Sequence, residues 1–149
     1  MLWIRALAIW ALIMAVETCH GVLRTLLLTP ALGDLRSRQV ALPVAAALIF
    51  LIALLTTHWL NARTNGARLC VGLLWALLTL GFEFGLGALL GYSMERITQD
   101  YNPLQGGFMA FGLAFMALCP LIAARLRRDR ERTGLIGTKR DEPKPVPPR

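Results

Sequence analysis

Two apolar stretches of 21 residues, 40–60 and 104–124, contain no lysine, arginine, aspartate or glutamate. As an α-helix rising ~1.5 Å per residue, each stretch is about 31 Å long, which matches the hydrocarbon thickness of a bilayer. In lipid, open sheet edges would leave backbone N–H and C=O groups without hydrogen-bond partners. Both stretches therefore predict membrane-spanning α-helices.

Two further apolar stretches contain only a few ionisable residues. Residues 69–94 include Glu83, and residues 3–28 include Arg5, Glu17, His20 and Arg24. The chain is 56% hydrophobic and 17% charged, whereas soluble domains are roughly 45–50% apolar and about 25% charged. The sequence thus predicts an all-α fold. The predicted fold is an integral membrane bundle of four transmembrane helices, which form one domain over residues 1–126. The helices are predicted at 3–28, 40–60, 69–94 and 104–124.

Short polar segments connect the predicted helices. Residues 29–34 contain the proline and glycine of a turn, and residues 35–39 lead into the second helix. In the third connection, 95–105, Arg96 and Asp100 are four residues apart, a spacing that favours a short interfacial helix.

The positive charge is concentrated at the C-terminus. The chain has a net charge of +7, and residues 125–149 hold nine basic and four acidic residues. We expect residues 127–149 to form a cytoplasmic basic tail that attracts anionic lipid headgroups, with disorder over the proline-containing residues 133–149. Four spans then place the N-terminus in the cytoplasm too, although Arg36 and Arg38 in the first connection oppose this orientation. No aromatic residues lie between the basic ones, so nucleic acid is not an expected partner.

A buried polar cluster is predicted between the first and third helices. At 100° per residue, Glu17, His20 and Arg24 lie within about 60° of one another on one helical face. Glu17 follows Trp3 by 14 residues and Glu83 follows the start of the third helix by 14, so both carboxylates lie at a similar depth. An outer rim of the cluster is predicted from three residues of the third connection, Glu95, Arg96 and Asp100.

This cluster allows a structural and a functional interpretation. In the structural one, Arg24 neutralises one glutamate and His20 bonds the other, so that the cluster holds the helices together. In the functional one, a single arginine can neutralise only one of the two glutamates, so the other carboxylate is left to take up and release protons.

Glycines of the third helix form two small-xxx-small pairs, Gly81/Gly85 and Gly87/Gly91. Such pairs let helices approach closely. Since Gly81 and Gly85 lie roughly opposite Glu83 on the helical wheel, one face of this helix could pack in the bundle and the other against a partner membrane protein or a second copy of the chain.

No metal or cofactor site is predicted. The three cysteines, Cys19, Cys70 and Cys119, lie apart, with no CxxC pair and no zinc-finger spacing. Glu17-x-x-His20 matches half of a di-iron site, but a second such motif is absent from the sequence. His20 and His58 differ by roughly 20 Å in depth, too far apart to hold one haem.

Several short motifs resemble an uncharacterised family of small four-helix bacterial inner-membrane proteins. They are Glu17-Thr18-x-His20-Gly21 with Arg24, Gly33-Asp34-x-Arg36-x-Arg38-Gln39, Phe82-Glu83 with Gly87, and Arg96-Ile97 followed by Asp100-Tyr101. The resemblance covers residues 3–126 and implies a bacterial inner-membrane location, but no catalytic activity. The glutamate midway along the first helix is also similar to that of small multidrug resistance exporters, although the third-helix acid and the His-Arg face do not match them.

Three functional hypotheses follow. The first is a non-enzymatic structural or accessory membrane subunit whose polar cluster fixes helix packing. The second is a proton-coupled small-molecule carrier that acts as an oligomer, with Glu17 and Glu83 as its site. The third is a membrane enzyme that acts on a lipid-linked substrate, with His20 as base and Glu17 orienting it.

Overall fold

The computed structural model describes residues 1–140, except for the side chains of residue 105 and residues 130–140. This part of the chain is helical and contains no strand, which confirms the predicted all-α fold. Four helices are long and apolar enough to cross a membrane. We number the helices α1 (Leu2–Leu32), α2 (Asp34–Leu60), α3 (Asn65–Leu89), α4 (Met94–Gln99) and α5 (Met109–Arg140).

The first helix is longer than predicted. It continues through Leu32 instead of ending at residue 28, with a π-helical turn at Arg24–Leu28. Pro30 lies in the first turn of the final segment, Thr29–Leu32, where its missing N–H costs little. The chain reverses at Gly33, whose φ of 77° is readily adopted only by glycine. Because the reversal takes one residue, α2 begins at Asp34 instead of residue 40.

The third helix is shorter than predicted. It ends at Leu89, and Gly91 follows in the left-handed conformation at φ 74°. The N–H of Tyr92 then donates to the carbonyl of Gly87 at 2.9 Å, as at many helix C-termini. Gly91 therefore terminates α3 within the described chain, and its predicted role in helix packing stays a prediction. The predicted short helix is confirmed as α4, which is capped by the Ser93 hydroxyl.

The last helix begins and ends later than predicted. It begins at Met109 rather than residue 104, after a 3₁₀ turn at Pro103–Gln105 and Gly106 at φ 82°. It continues to Arg140, so residues 133–140, which were expected to be disordered, are helical. Residues 141–149, which hold the four C-terminal prolines of the predicted tail, lie outside the described residues.

The four long helices pack in the cyclic order α1, α2, α5, α3. The end of the bundle at which α1 and α3 begin is called the closed end, and the opposite end, at Arg24, Asp34 and Asp100, is called the open end. The buried core extends from the closed end to the middle of the bundle. It is formed by Ala6, Ile9, Ile13, Ile49, Ala53, Leu60, Ala62, Val71, Trp75, Met116, Cys119 and Ala123.

A close helix contact lies in this core, between α3 and α5. A Cβ on Gly72 would lie 1.9 Å from the carbonyl oxygen of Ala117, so only glycine fits there. In contrast, a Cβ on Gly81 or Gly85 would meet no atom within 4 Å. These two glycines therefore contribute no packing within the described chain, and the partner contact predicted for them stays a prediction.

The outer surface of the bundle is apolar. Large side chains such as Leu12, Leu51, Leu77 and Phe111 are exposed on all four long helices. Soluble monomers rarely expose continuous apolar surface beyond a few hundred Å². This surface suits contact with lipid.

Candidate functional site

A cavity of about 660 Å³ occupies the open half of the bundle. All four long helices and α4 contribute to its wall, and Ile49, Thr79 and Met116 form its floor above the core. The wall of α2 is lined by small side chains, among them Ala45 and Ala46, which leave the central space open.

Two tryptophans join α1 and α3 below this cavity. The indole N–H of Trp75 donates to the carbonyl of Ala6 at 2.8 Å, and that of Trp10 donates to the Thr79 hydroxyl at 3.1 Å. In both pairs the α3 residue lies 69 positions after its α1 partner in the sequence. The same offset places Glu83 of α3 level with Met14 of α1. Glu17 therefore lies three residues, or about 4.5 Å, nearer the open end than Glu83.

Glu17 and His20 form one polar pair on the wall of the cavity. Their Oε2 and Nδ1 atoms are 3.4 Å apart, and the two side chains are 17% and 18% exposed. The other carboxylate oxygen of Glu17, Oε1, is buried and has no hydrogen-bond partner among the described residues. This oxygen can accept a proton.

Glu83 lines the same cavity from α3 and has a different partner. The phenol of Tyr101, which follows α4, donates to Glu83 Oε2 at 3.0 Å, and its ring packs against Phe84 with the ring centroids 5.8 Å apart. Burial first, and then the negative charge of Glu83, raise the pKa of Tyr101. The phenol therefore stays protonated and keeps its role as a donor.

Five charged residues lie at the open end of the cavity. We call this set the mouth network, and its members are Arg24, Asp34, Arg38, Arg96 and Asp100. Asp34 is its centre, since it pairs with Arg38, with Arg96 at 2.7 Å and with Arg24 at 3.6 Å. Asp100 pairs with Arg38 and, at 3.3 Å, with Arg96. The network thereby ties α4 to the adjoining ends of α1 and α2.

Local structure directs Arg24 into this network. The residue begins the π-helical turn of α1, and its Nη1 donates to the Ser37 hydroxyl at 3.0 Å. Ser37 is fully buried and in turn donates to the Asp34 carbonyl at 2.8 Å. π-Helical turns are rare and occur frequently at functional sites.

Asp100 is the more buried acid of the mouth network. Burial raises the pKa of its carboxyl group, and the repulsion from Asp34 adds to that effect, while the attraction of Arg38 and Arg24 opposes it. The net rise means that the surroundings of Asp100 favour its neutral form, relative to water.

The predicted cluster residues all line the cavity, and their pairing matches the structural interpretation at His20, which contacts Glu17, but not at Arg24. Glu17, His20, Arg24 and Glu83 lie on its wall. Arg24 contacts Asp34 and Ser37 instead of a glutamate. The reason is distance, because Arg24 and Glu17 are seven residues apart, or about 10 Å along the helix.

The predicted rim residues are only partly brought together. Arg96 and Asp100 belong to the mouth network and line the cavity, while Glu95 on the opposite side of α4 is exposed. Sequence reasoning missed Asp34, Arg38 and Tyr101. The four-residue spacing of Asp34 and Arg38 is a signal for an ion pair on a helix, but residues 34–39 were assigned to a connection.

Chemically, the cavity combines two carboxylates and a histidine with the charged residues of the mouth network, and the Tyr101 phenol donates to one of the two carboxylates. Among the described residues, no group of three His, Cys, Asp or Glu side chains could hold a metal ion. Comparison with protein-family models, with curated proteins and with solved structures found no match for the chain. The family resemblance described from the sequence therefore stays a prediction.

Proposed function

We propose that this chain is a multi-pass membrane carrier that exchanges protons for a small cationic solute, which binds in the cavity between Glu17 and Glu83. One observation carries the proposal. The two glutamates face one cavity from different helices, and neither contacts an arginine or lysine within the described part of the chain. The predicted location is a bacterial inner membrane with both termini in the cytoplasm.

The chemistry of the carboxylates supports proton exchange. An ionised carboxylate inside a membrane protein is costly without a counter-charge. A proton or a cation can supply that counter-charge, so the two compete for the same oxygens. Entry of the solute would then release a proton, which is the coupling that an exchanger needs.

In the mouth network, the charged residues which join the helices are not the two glutamates. It joins α1, α2 and α4 without using either glutamate. Glu17 and Glu83 are thus not required to hold the open end together. A purely structural subunit, the competing proposal, would instead depend on both glutamates for its stability.

The test uses purified protein in liposomes that contain the trapped pH dye pyranine. Guanidinium, choline and tetraethylammonium are added outside, since their permanent charge keeps them from crossing lipid as neutral bases. We expect a cation-driven pH change with the wild-type protein and a loss of at least tenfold in its rate with Glu17→Gln and Glu83→Gln.

Glu95→Gln is the matched control, because Glu95 is exposed and lies outside the cavity. It should retain the wild-type rate. The carrier proposal fails if none of the three cations moves protons faster than in protein-free liposomes. The structural alternative is favoured if, in addition, Glu17→Gln and Glu83→Gln lower the melting temperature and Glu95→Gln does not.

A further inference from the structure

A second pocket, of about 440 Å³, lies at the closed end of the bundle. Three arginines from separate parts of the chain line it, namely Arg5 of α1, Arg63 of the α2–α3 connection and Arg68 of α3, together with His58 and Trp59 of α2. The residues that line this pocket include no carboxylate. We call it the basic pocket.

Two arginines of the basic pocket, Arg5 and Arg68, have neutral partners. Arg5 donates to the carbonyl of Trp59 at 3.0 Å and lies 5.7 Å from the centre of its ring. Arg68 donates to the side-chain oxygen of Asn65 at 3.0 Å, while its Nε atom is buried and has no acceptor among the described residues. Arg128 of α5 is close enough to Arg68 for the two like charges to repel.

This arrangement is one that an anion would stabilise. Arg68 and Arg128 carry like charges that repel, and the three arginines that line the pocket concentrate further positive charge there. A phosphate group in the pocket would offset this repulsion, because its oxygens match the planar fork of arginine donors.

The surroundings of the pocket indicate where such a phosphate comes from. The pocket lies at the ends of helices that are apolar enough to span a membrane, and Trp3 and Trp59 are half exposed at the same level. Tryptophans concentrate at the depth of lipid headgroups. Exposed Ile4 and Leu55 nearby offer an apolar surface to acyl chains.

We propose that the basic pocket binds the phosphate of an anionic phospholipid headgroup. This site is distinct from the general attraction of the basic C-terminal tail for membranes, because the residues that line it belong to α1, α2, α3 and the connection between α2 and α3. It is also independent of the carrier function, since it lies at the opposite end of the bundle from the cavity.

The test measures the melting temperature of the delipidated full-length protein in detergent. Phosphatidylglycerol, zwitterionic phosphatidylcholine or inorganic phosphate is added, and the wild type is compared with Arg63→Gln, Arg68→Gln and Arg36→Gln. A bound ligand raises the melting temperature of the folded state. We expect phosphatidylglycerol to stabilise the wild type by several degrees, phosphatidylcholine and inorganic phosphate to have less than half that effect, and both pocket variants to lose at least half of the shift.

Arg36→Gln is the matched control, because Arg36 is exposed near the start of α2, at the open end, and should retain the full shift. Arg63 is also exposed, so its replacement tests binding even where Arg68→Gln impairs folding. Equal shifts for all four proteins would place the lipid elsewhere and overturn the proposal. A shift with inorganic phosphate as large as that with phosphatidylglycerol would overturn the assignment to a lipid.

Discussion

The acidic residues that line the cavity fall into two sets with different surroundings. Glu17 and Glu83 face the cavity with neutral or titratable partners, His20 and Tyr101. The aspartates pair with arginines in the mouth network. Helical periodicity predicted Glu17 and His20 on one face, and they are in contact. It could not predict the partner of Arg24, because that partner depends on how the chain reverses at Gly33.

A pH titration of stability tests the surroundings of Asp100. Since burial raises the pKa of Asp100 in the folded state above its unfolded value of about 3.9, the folded protein binds the proton more tightly. Ionisation of this carboxyl group therefore costs stability as the pH rises through the window between the two pKa values. We expect the melting temperature of the wild type, relative to Asp100→Asn, to fall across this window and then to stay constant at higher pH.

The measurement is a series of thermal unfolding experiments in detergent on both proteins from pH 3 to 8. Glu95→Gln controls for the loss of a negative charge from the same short segment. If the relative stability of the wild type instead rises with pH, the attraction of Arg38 outweighs burial and the argument is wrong.

At the scale of the helices, composition predicted the number of long helices but not where each of them begins and ends. The four apolar stretches were sufficient to predict four long helices, because length and hydropathy are local properties. Their ends depend on single residues: Gly33 and Gly91 set boundaries through positive φ, and Asp34 begins a helix that polar composition had suggested would start six residues later. A polar segment at the end of an apolar helix can be helical or irregular, and composition does not distinguish the two.

The packing of α3 on α5 gives a test at the same scale. Gly72→Ala forces a Cβ into the space that the Ala117 carbonyl occupies, so the helices must separate. Overpacking of this kind costs about 1–3 kcal/mol in the free energy of unfolding. Gly81→Ala is the matched control on the same helix, with nothing near its Cβ. It should change the stability by no more than about 1 kcal/mol, in the stabilising direction if helix propensity dominates.

Reversible unfolding in mixed micelles with increasing denaturing detergent measures both free energies. Equal destabilisation by the two substitutions would contradict the prediction that Gly81, unlike Gly72, lies away from any helix contact, and would indicate that a partner helix packs on the Gly81 face.

At the scale of the whole molecule, the bundle is closed at one end and open at the other. The two tryptophan hydrogen bonds and the Gly72 contact lie towards the closed end, while small residues of α2 leave the cavity open beyond them. The sequence predicted that Glu17 and Glu83 lie near each other, but not that a cavity separates them. A cavity is a property of four packed helices together, and no single helical pattern contains it.

Cysteine labelling tests whether water fills this cavity, in a background where the native cysteines are replaced by alanine. Ala46 lies on the cavity wall, its neighbour Ala47 is exposed on the apolar surface, and Ala53 is buried in the core. A water-soluble cationic methanethiosulfonate should modify Ala46→Cys at least tenfold faster than Ala47→Cys or Ala53→Cys, because the thiolate is the reactive form and needs water. An anionic reagent of similar size should react more slowly at Ala46→Cys, since Glu17 and Glu83 repel it.

Labelling of intact cells from outside is expected if both termini are cytoplasmic, and labelling only after permeabilisation would reverse that orientation. Equal rates at positions 46 and 47 would mean that the open half of the bundle is closed to water, and the carrier proposal would lose its solute site.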